Sequence, residues 1–114
     1  MKKGLGYLNE TERKVIGSFV KELRGKLGDE ILSIRLFGSK ARGDFYEDSD
    51  IDIFVLVKEK TPDVKEKVRD LAADYILDYD IPLSVGLCDL FEDKKNKELG
   101  SFFFENVERE GILL

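Results

Sequence analysis

Apolar positions recur along the chain with two different periods, and the switches between them predict the elements. Val15, Ile16, Phe19, Val20, Leu23 and Leu27 keep the three- and four-residue spacing of a helix face. Ahead of them Asn9-Glu10-Thr11-Glu12 has the form of a capping box, and behind them Gly28 is placed to stop the helix. Ile31–Phe37 changes to a period of two, with Leu32, Ile34 and Leu36 set against Ser33 and Arg35. Ile51–Val57 predicts a second strand. Thr61-Pro62 opens a second long helix, with proline at its first position. Val64, Val68, Leu71, Ala72, Tyr75, Ile76 and Tyr79 mark the buried face of that helix. A third strand is predicted over Ile81–Cys88 and a last helix over Lys97–Glu110, closed by Gly111.

This order, α-β-loop-β-α-β-α, predicts a compact α/β layer structure. The 114 residues suit one domain spanning 1–114, with no repeat or linker along it. No apolar run approaches the roughly 20 residues that cross a bilayer, and charged sequence follows Met1-Lys2-Lys3-Gly4-Leu5-Gly6 where a signal peptide would be apolar. The single Cys88 excludes an internal disulfide and suits a reducing compartment, so a cytoplasmic location is expected, away from membranes.

Two further features of composition narrow the chemistry. The chain has no histidine, which removes Ser-His-Asp and Cys-His catalysis and ordinary zinc sites. Any metal must then be held by oxygen, which favours Mg²⁺, Mn²⁺ or Ca²⁺. A formal net charge of −5 argues against broad tracking of a nucleic-acid backbone.

The stretch from Gly38 to Asp52 concentrates the candidate chemistry. Asp50 and Asp52 fall one residue apart at the mouth of an apolar strand, where alternation puts both on one face about 6–7 Å apart. Such a pair repels unless a cation offsets the charge. Upstream, the first strand runs into Gly38-Ser39 and then Lys40-Ala41-Arg42. A glycine permits close backbone approach, exposed N–H groups cradle phosphate, and the Ser39 hydroxyl adds a donor. Lys40 and Arg42 are placed to add positive charge. A phosphate cradle beside a metal-binding acid pair suits phosphoryl or nucleotidyl transfer. A solvated acidic loop entering a strand would also place acids here, but leaves the Gly-Ser turn without a reason. An EF-hand reading of Asp48, Asp50, Asp52 and Glu59 fails because Ile53 stands where the loop requires glycine. Arg42-Gly43-Asp44 reads as a chance adhesion tripeptide.

Gly38-Ser39, ten residues, then Asp50-Ile51-Asp52 resembles the Gly-Ser-x10-Asp-x-Asp signature of the DNA-polymerase-β-like nucleotidyltransferase superfamily. Ala41-Arg42-Gly43 and Ser49 resemble its minimal nucleotidyltransferase (MNT) family, and the ending from Phe102 to Leu114 resembles the closing helix and short strand of those proteins. The resemblance implies a small mixed sheet of three to four strands flanked by helices. It implies Asp50 and Asp52 as catalytic and metal-binding residues, with Gly38, Ser39, Lys40, Arg42 and Ser49 binding nucleotide. It implies Mg²⁺ or Mn²⁺ as cofactor and transfer of AMP from ATP, or of another NTP's monophosphate, to an acceptor. The implied acceptor is a tyrosine of a HEPN toxin partner, which would make the chain an antitoxin. The family's third carboxylate comes from the next core strand, where this chain aligns Ser84; Asp80 and Asp89 flank that strand. A partner-binding antitoxin with a catalytically weak nucleotide site is the alternative.

The remaining candidates read as structural. Cys88 is a small strand-end residue with nothing to activate it, and Tyr75 and Tyr79 pack at helical spacing, with base stacking as the lesser reading. Phe102, Phe103 and Phe104 cannot all face inward on one helix. Leu99, Phe102, Phe103 and Val107 follow the inward period and leave Phe104 outward, as a contact for a toxin or for a homo-oligomer.

Overall fold

The computed structural model describes residues 8–37, 50–98 and 111–114, apart from the side chains of Asn96 and Lys97. Helix α1 covers Glu10–Leu27 and leads through a short 3-10 turn to strand β1, Ile31–Phe37. Strand β2 is Ile51–Val57, helix α2 is Pro62–Tyr79, and strand β3 is Leu83–Asp89. Helix α3 covers Leu90–Glu98 and strand β4 Ile112–Leu113. The strands form one mixed sheet in the order β3-β2-β1-β4. β1 runs antiparallel to both β2 and β4, while β2 and β3 are parallel and joined through α2.

Local signals set the helix ends. Asn9 and Glu12 form a reciprocal capping box, with the Glu12 N–H donating to Asn9 Oδ1 at 2.7 Å and the Asn9 N–H to Glu12 Oε1 at 2.9 Å. Gly28 closes α1 at φ +54°, a left-handed backbone that glycine adopts without penalty. At α2 the Thr61 hydroxyl accepts the Val64 N–H at 3.2 Å and Pro62 takes the first turn, where its missing N–H costs nothing.

The core lies between one sheet face and the two long helices. Ile34, Leu36, Ile51, Val55 and Val57 are fully buried, with Ile53 close behind. Val15, Ile16, Phe19 and Leu23 of α1 and Val64, Val68, Leu71 and Tyr75 of α2 cover them. The Phe19 and Tyr75 rings meet edge to face at 5.4 Å and tie the two helices together. Tyr75 also donates from its hydroxyl to Glu22 Oε1 at 2.5 Å; burial, then the Glu22 carboxylate, pushes its ionisation above the usual tyrosine range. Tyr75 is therefore a neutral structural residue.

Several expected boundaries move. Leu32 was expected to face inward with Ile34 and Leu36, yet it is 42% exposed. The pairing jumps from Ile31↔Val57 to Ser33↔Leu56, so Leu32 is the extra residue of a β-bulge and points away from the core. On α2, Ile76 and Tyr79 are exposed, Ile76 at the open cavity it lines with Val85 and Leu87 of β3. The third strand is shifted to Leu83–Asp89, leaving Ile81 and Pro82 as its lead-in. A helix begins at Leu90, seven residues before the predicted Lys97 start; residues 99–110, with Leu99, Val107 and the Phe triplet, lie outside the described residues.

Asp89 explains that early start. Its Oδ1 accepts the Glu92 N–H at 2.9 Å, and its own N–H donates to Glu92 Oε1 at 3.3 Å, a second capping box. Its Oδ2 accepts the Lys60 N–H at 3.0 Å, and Lys60 Nζ stands 2.8 Å from the Glu92 carboxylate. The loop after β2 and the start of α3 are thereby joined. The donated N–H bonds, that of Glu92 first and that of Lys60 second, hold the Asp89 carboxyl below its usual range.

Asp89→Ala should cost about 1 kcal/mol at neutral pH, the scale of a lost helix cap. A carboxyl with a lowered folded-state pKa stabilises above its unfolded value near ~3.9 and loses that contribution as pH falls through the folded value. Urea titrations at neutral and acid pH should therefore show the gap between wild type and variant closing on acidification.

Candidate functional site

The face of the sheet turned away from α1 and α2 carries the candidate chemistry. Ile51, Ile53, Val55 and Val57 fill the core side of β2, so Asp52, Phe54 and Leu56 fall on the other side, each half-buried. Pairing arranges this face in rows: Phe37–Asp52–Ser84, Arg35–Phe54–Gly86 and Ser33–Leu56–Cys88. Residues opposite one another in a ladder point to the same side, so Asp52 has Phe37 on one flank and Ser84 on the other.

Asp50 was expected at the mouth of the strand, on the same face as Asp52. It precedes the first strand residue, as the Ile51–Val57 boundary predicts, and is exposed, while Asp52 is half-buried within the strand. The Ile51 N–H donates to Pro82 O at 2.9 Å, fixing this end of β2 against the lead-in to β3. Gly38, Ser39, Lys40, Arg42 and Ser49 lie outside the described residues. Phe37, the residue before Gly38, is the β1 partner of Asp52.

The three flanking candidates separate cleanly. Ser84 is in register with Asp52 and exposed. Asp80 ends α2 in a left-handed backbone, φ 52° and ψ 40°, with its N–H bonded to Ile76 O at 3.0 Å. Asp89 pairs with Val57 at the opposite end of the strand and is spent on the α3 cap. Among the described residues, no group of three or more His, Cys, Asp or Glu is placed to hold a metal ion.

Cys88 is buried, and burial first, then Glu92, Asp93 and Asp89, pushes its thiol up to about 12. It is a protonated packing residue, not a nucleophile. Sequence reasoning did not find Phe54 and Gly86. A Cβ at Gly86 would meet Phe54 Cδ2 at 3.2 Å and Cε2 at 3.5 Å, so the glycine gives this ring its place beside the Asp52 row. The signal was present in the strand alternation, but only the parallel pairing of β2 with β3 joins the two positions.

Residues 16–111 match the nucleotidyltransferase domain family. The chain belongs to that family. Two proteins of Methanocaldococcus jannaschii, each named "Putative protein adenylyltransferase", are similar to this nucleotidyltransferase along almost its whole length. One is 36% identical over 100 residues, covering 87% of this chain and 94% of its own; the other is 38% identical over 104 residues, covering 90% and 97%. Among solved structures, a nucleotidyltransferase-like protein from Sulfolobus solfataricus superposes with a TM-score of 0.55 at 23% identity, covering 88% of this chain and 76% of its own. That match speaks for the fold alone. A toxin–antitoxin complex with AMP-PNP matches at 0.54 and 25% identity, covering 84% and 69%. A mutant MntA–HpeT toxin–antitoxin complex matches at 0.50 and 26% identity, covering 94% and 72%. The small mixed sheet of three to four strands implied by the resemblance is observed with four strands, and among the described residues no helix is long and apolar enough to cross a membrane.

Gly86→Ala should displace the Phe54 ring by a few tenths of an ångström and cost about 1–2 kcal/mol by overpacking. Chemical denaturation gives the cost, and Phe54→Leu introduced in the same chain should recover most of it.

Proposed function

We propose that this nucleotidyltransferase moves AMP from ATP to a tyrosine hydroxyl of a HEPN-type toxin, and so acts as an antitoxin in the cytoplasm. The observation that carries the reading is the pairing of Asp52 with Phe37, because Phe37 leads directly into Gly38-Ser39. Names of relatives and neighbours support it: protein adenylyltransferases on one side, toxin–antitoxin complexes on the other.

In this reading the Gly38 backbone and the Ser39 hydroxyl bind the β- and γ-phosphates, with Lys40, Arg42 and Ser49 as further nucleotide contacts. Asp50 and Asp52 supply hard oxygen donors and the chain has no histidine, a donor set that fits Mg²⁺ or Mn²⁺. That ion, when bound, neutralises triphosphate charge and activates the acceptor oxygen. The acceptor oxygen bonds to the α-phosphorus, the bond to pyrophosphate breaks, and the hydroxyl proton must leave. Ser84 can hydrogen-bond the acceptor but cannot hold that proton as a carboxylate would.

The position of Ser84 also favours a second reading, a partner-binding antitoxin that holds nucleotide and transfers it slowly or not at all. Incubation with labelled ATP, Mg²⁺ and a HEPN-type partner separates the two readings. Label on the partner tyrosine supports transfer, while a stable complex without label supports the weak site.

Asp52→Asn should abolish Mg²⁺-dependent ATP binding in calorimetry while leaving the fold intact, since removing one acid relieves like-charge repulsion. Unchanged affinity would rule out the two-acid site.

Ser84→Asp should raise the rate of transfer by about 10²–10⁴-fold if a missing proton acceptor limits it. An unchanged rate would mean that the proton leaves by another route.

A further inference from the structure

Register sets three rows on the face of the sheet that carries Asp52: Phe37–Asp52–Ser84, Arg35–Phe54–Gly86 and Ser33–Leu56–Cys88. Within these rows Asp52 is the single anion and Arg35 the single cation. Both are half-buried, where a charge costs more than at the surface. Pairing is regular from Ser33 to Phe37, after the bulge at Leu32, so Arg35 stays on the Asp52 side of the sheet.

The two charges are diagonal neighbours, since Arg35 pairs with Phe54 and Phe37 with Asp52. Diagonal neighbours across an antiparallel ladder stand about 7–8 Å apart, within reach of a long side chain such as arginine. The residues directly in register with Arg35, Phe54 on β2 and Leu113 on β4, are both apolar. Among the strand residues that the register sets beside it, Asp52 is the one that carries charge.

A guanidinium stays ionised throughout the physiological range, so its charge acts on whatever occupies the Asp52 carboxylate. The sign of that action depends on the ligand. A bare divalent ion is positive and is repelled. The same ion bound to ATP belongs to a net negative complex and is attracted. For a unit charge about 7 Å from a divalent ion at the edge of a protein, the repulsion corresponds to about a tenfold change in affinity.

We propose that Arg35 makes ion binding depend on nucleotide. Its charge keeps a bare divalent ion off the Asp50–Asp52 pair and admits the ion as its complex with a nucleoside triphosphate. Ion and substrate then reach the site as one ligand. The proposal rests on the reading of Asp52 as an ion-binding residue and adds to it a selection for the form in which the ion arrives. An arginine that only packs between Phe54 and Leu113 would show no dependence on the sign of the ligand's charge.

Binding of Mn²⁺ to the full chain, followed by electron paramagnetic resonance with and without a non-hydrolysable ATP analogue, tests this. Arg35→Gln should tighten binding of Mn²⁺ alone by about tenfold and weaken binding of the Mn²⁺–analogue complex by about threefold or more. Arg35→Lys, which keeps the charge, should bring both affinities back toward those of the wild type. Damage to the fold would weaken both ligands together, so opposite signs are the signature. Circular dichroism checks the fold, and Arg35→Met, which keeps an apolar stem, takes the place of Arg35→Gln if that variant does not fold. Changes of one sign for both ligands, or no change, overturn the proposal and leave the ion site standing if Asp52→Asn weakens Mn²⁺ binding. If Asp52→Asn leaves Mn²⁺ affinity unchanged, the acid pair is not the ion site and the proposal falls with it.

Discussion

Strand β2 runs through the middle of the sheet and must satisfy helices on one face and polar chemistry on the other. Ile51, Ile53, Val55 and Val57 are all essentially buried, and the period of a strand then obliges Asp52 to stand opposite them. A slip of one residue would expose four aliphatic side chains and drive a carboxylate into the core, a change costing far more than the marginal stability of such a domain. The apolar contacts of β2 therefore fix where the acid goes. The rows Phe37–Asp52–Ser84 and Arg35–Phe54–Gly86 follow from that single register.

Parallel pairing of β2 and β3 adds a second constraint. It needs a crossover, which α2 supplies, and it needs the crossover to return at a fixed height. Lys60, Asp89 and Glu92 hold the far end of the two strands together, while the Ile51 N–H on Pro82 O holds the near end. Asp89 thus has a structural duty in keeping Ser84 level with Asp52, although it takes no part in the row itself.

Features written in local chemistry were legible from the sequence. The capping box at Asn9, Gly28 with its positive φ, the Thr61-Pro62 start and the alternation of β2 needed only near neighbours. Leu32 was misplaced because a bulge is defined by the partner strand, and nothing in Ile31–Phe37 distinguishes a strand with one from a strand without. The start of α3 was missed because Asp89 ends a strand and caps a helix at once, and the reading treated it as a candidate catalytic flank. For the site, Asp50-Ile51-Asp52 and Gly38-Ser39 were visible as a motif, whereas the duties of Asp89, Phe54 and Gly86 depend on residues about thirty positions away in sequence.

Among the described residues, the two borders of the sheet differ in length, seven residues at β3 and two at β4. β4 is held to β1 by the Leu114 N–H on Ile34 O, and Arg24 reaches the Leu114 carbonyl from α1, so this border is stitched to the body of the domain. Sheets polymerise when both borders can recruit another strand, since each addition then presents a fresh one. Among the described residues lateral growth therefore has a single direction, and a pairing at β3 would leave only two-residue borders. A fold with an open edge is in this way kept from becoming a fibre by the shortness of the strand on its other side.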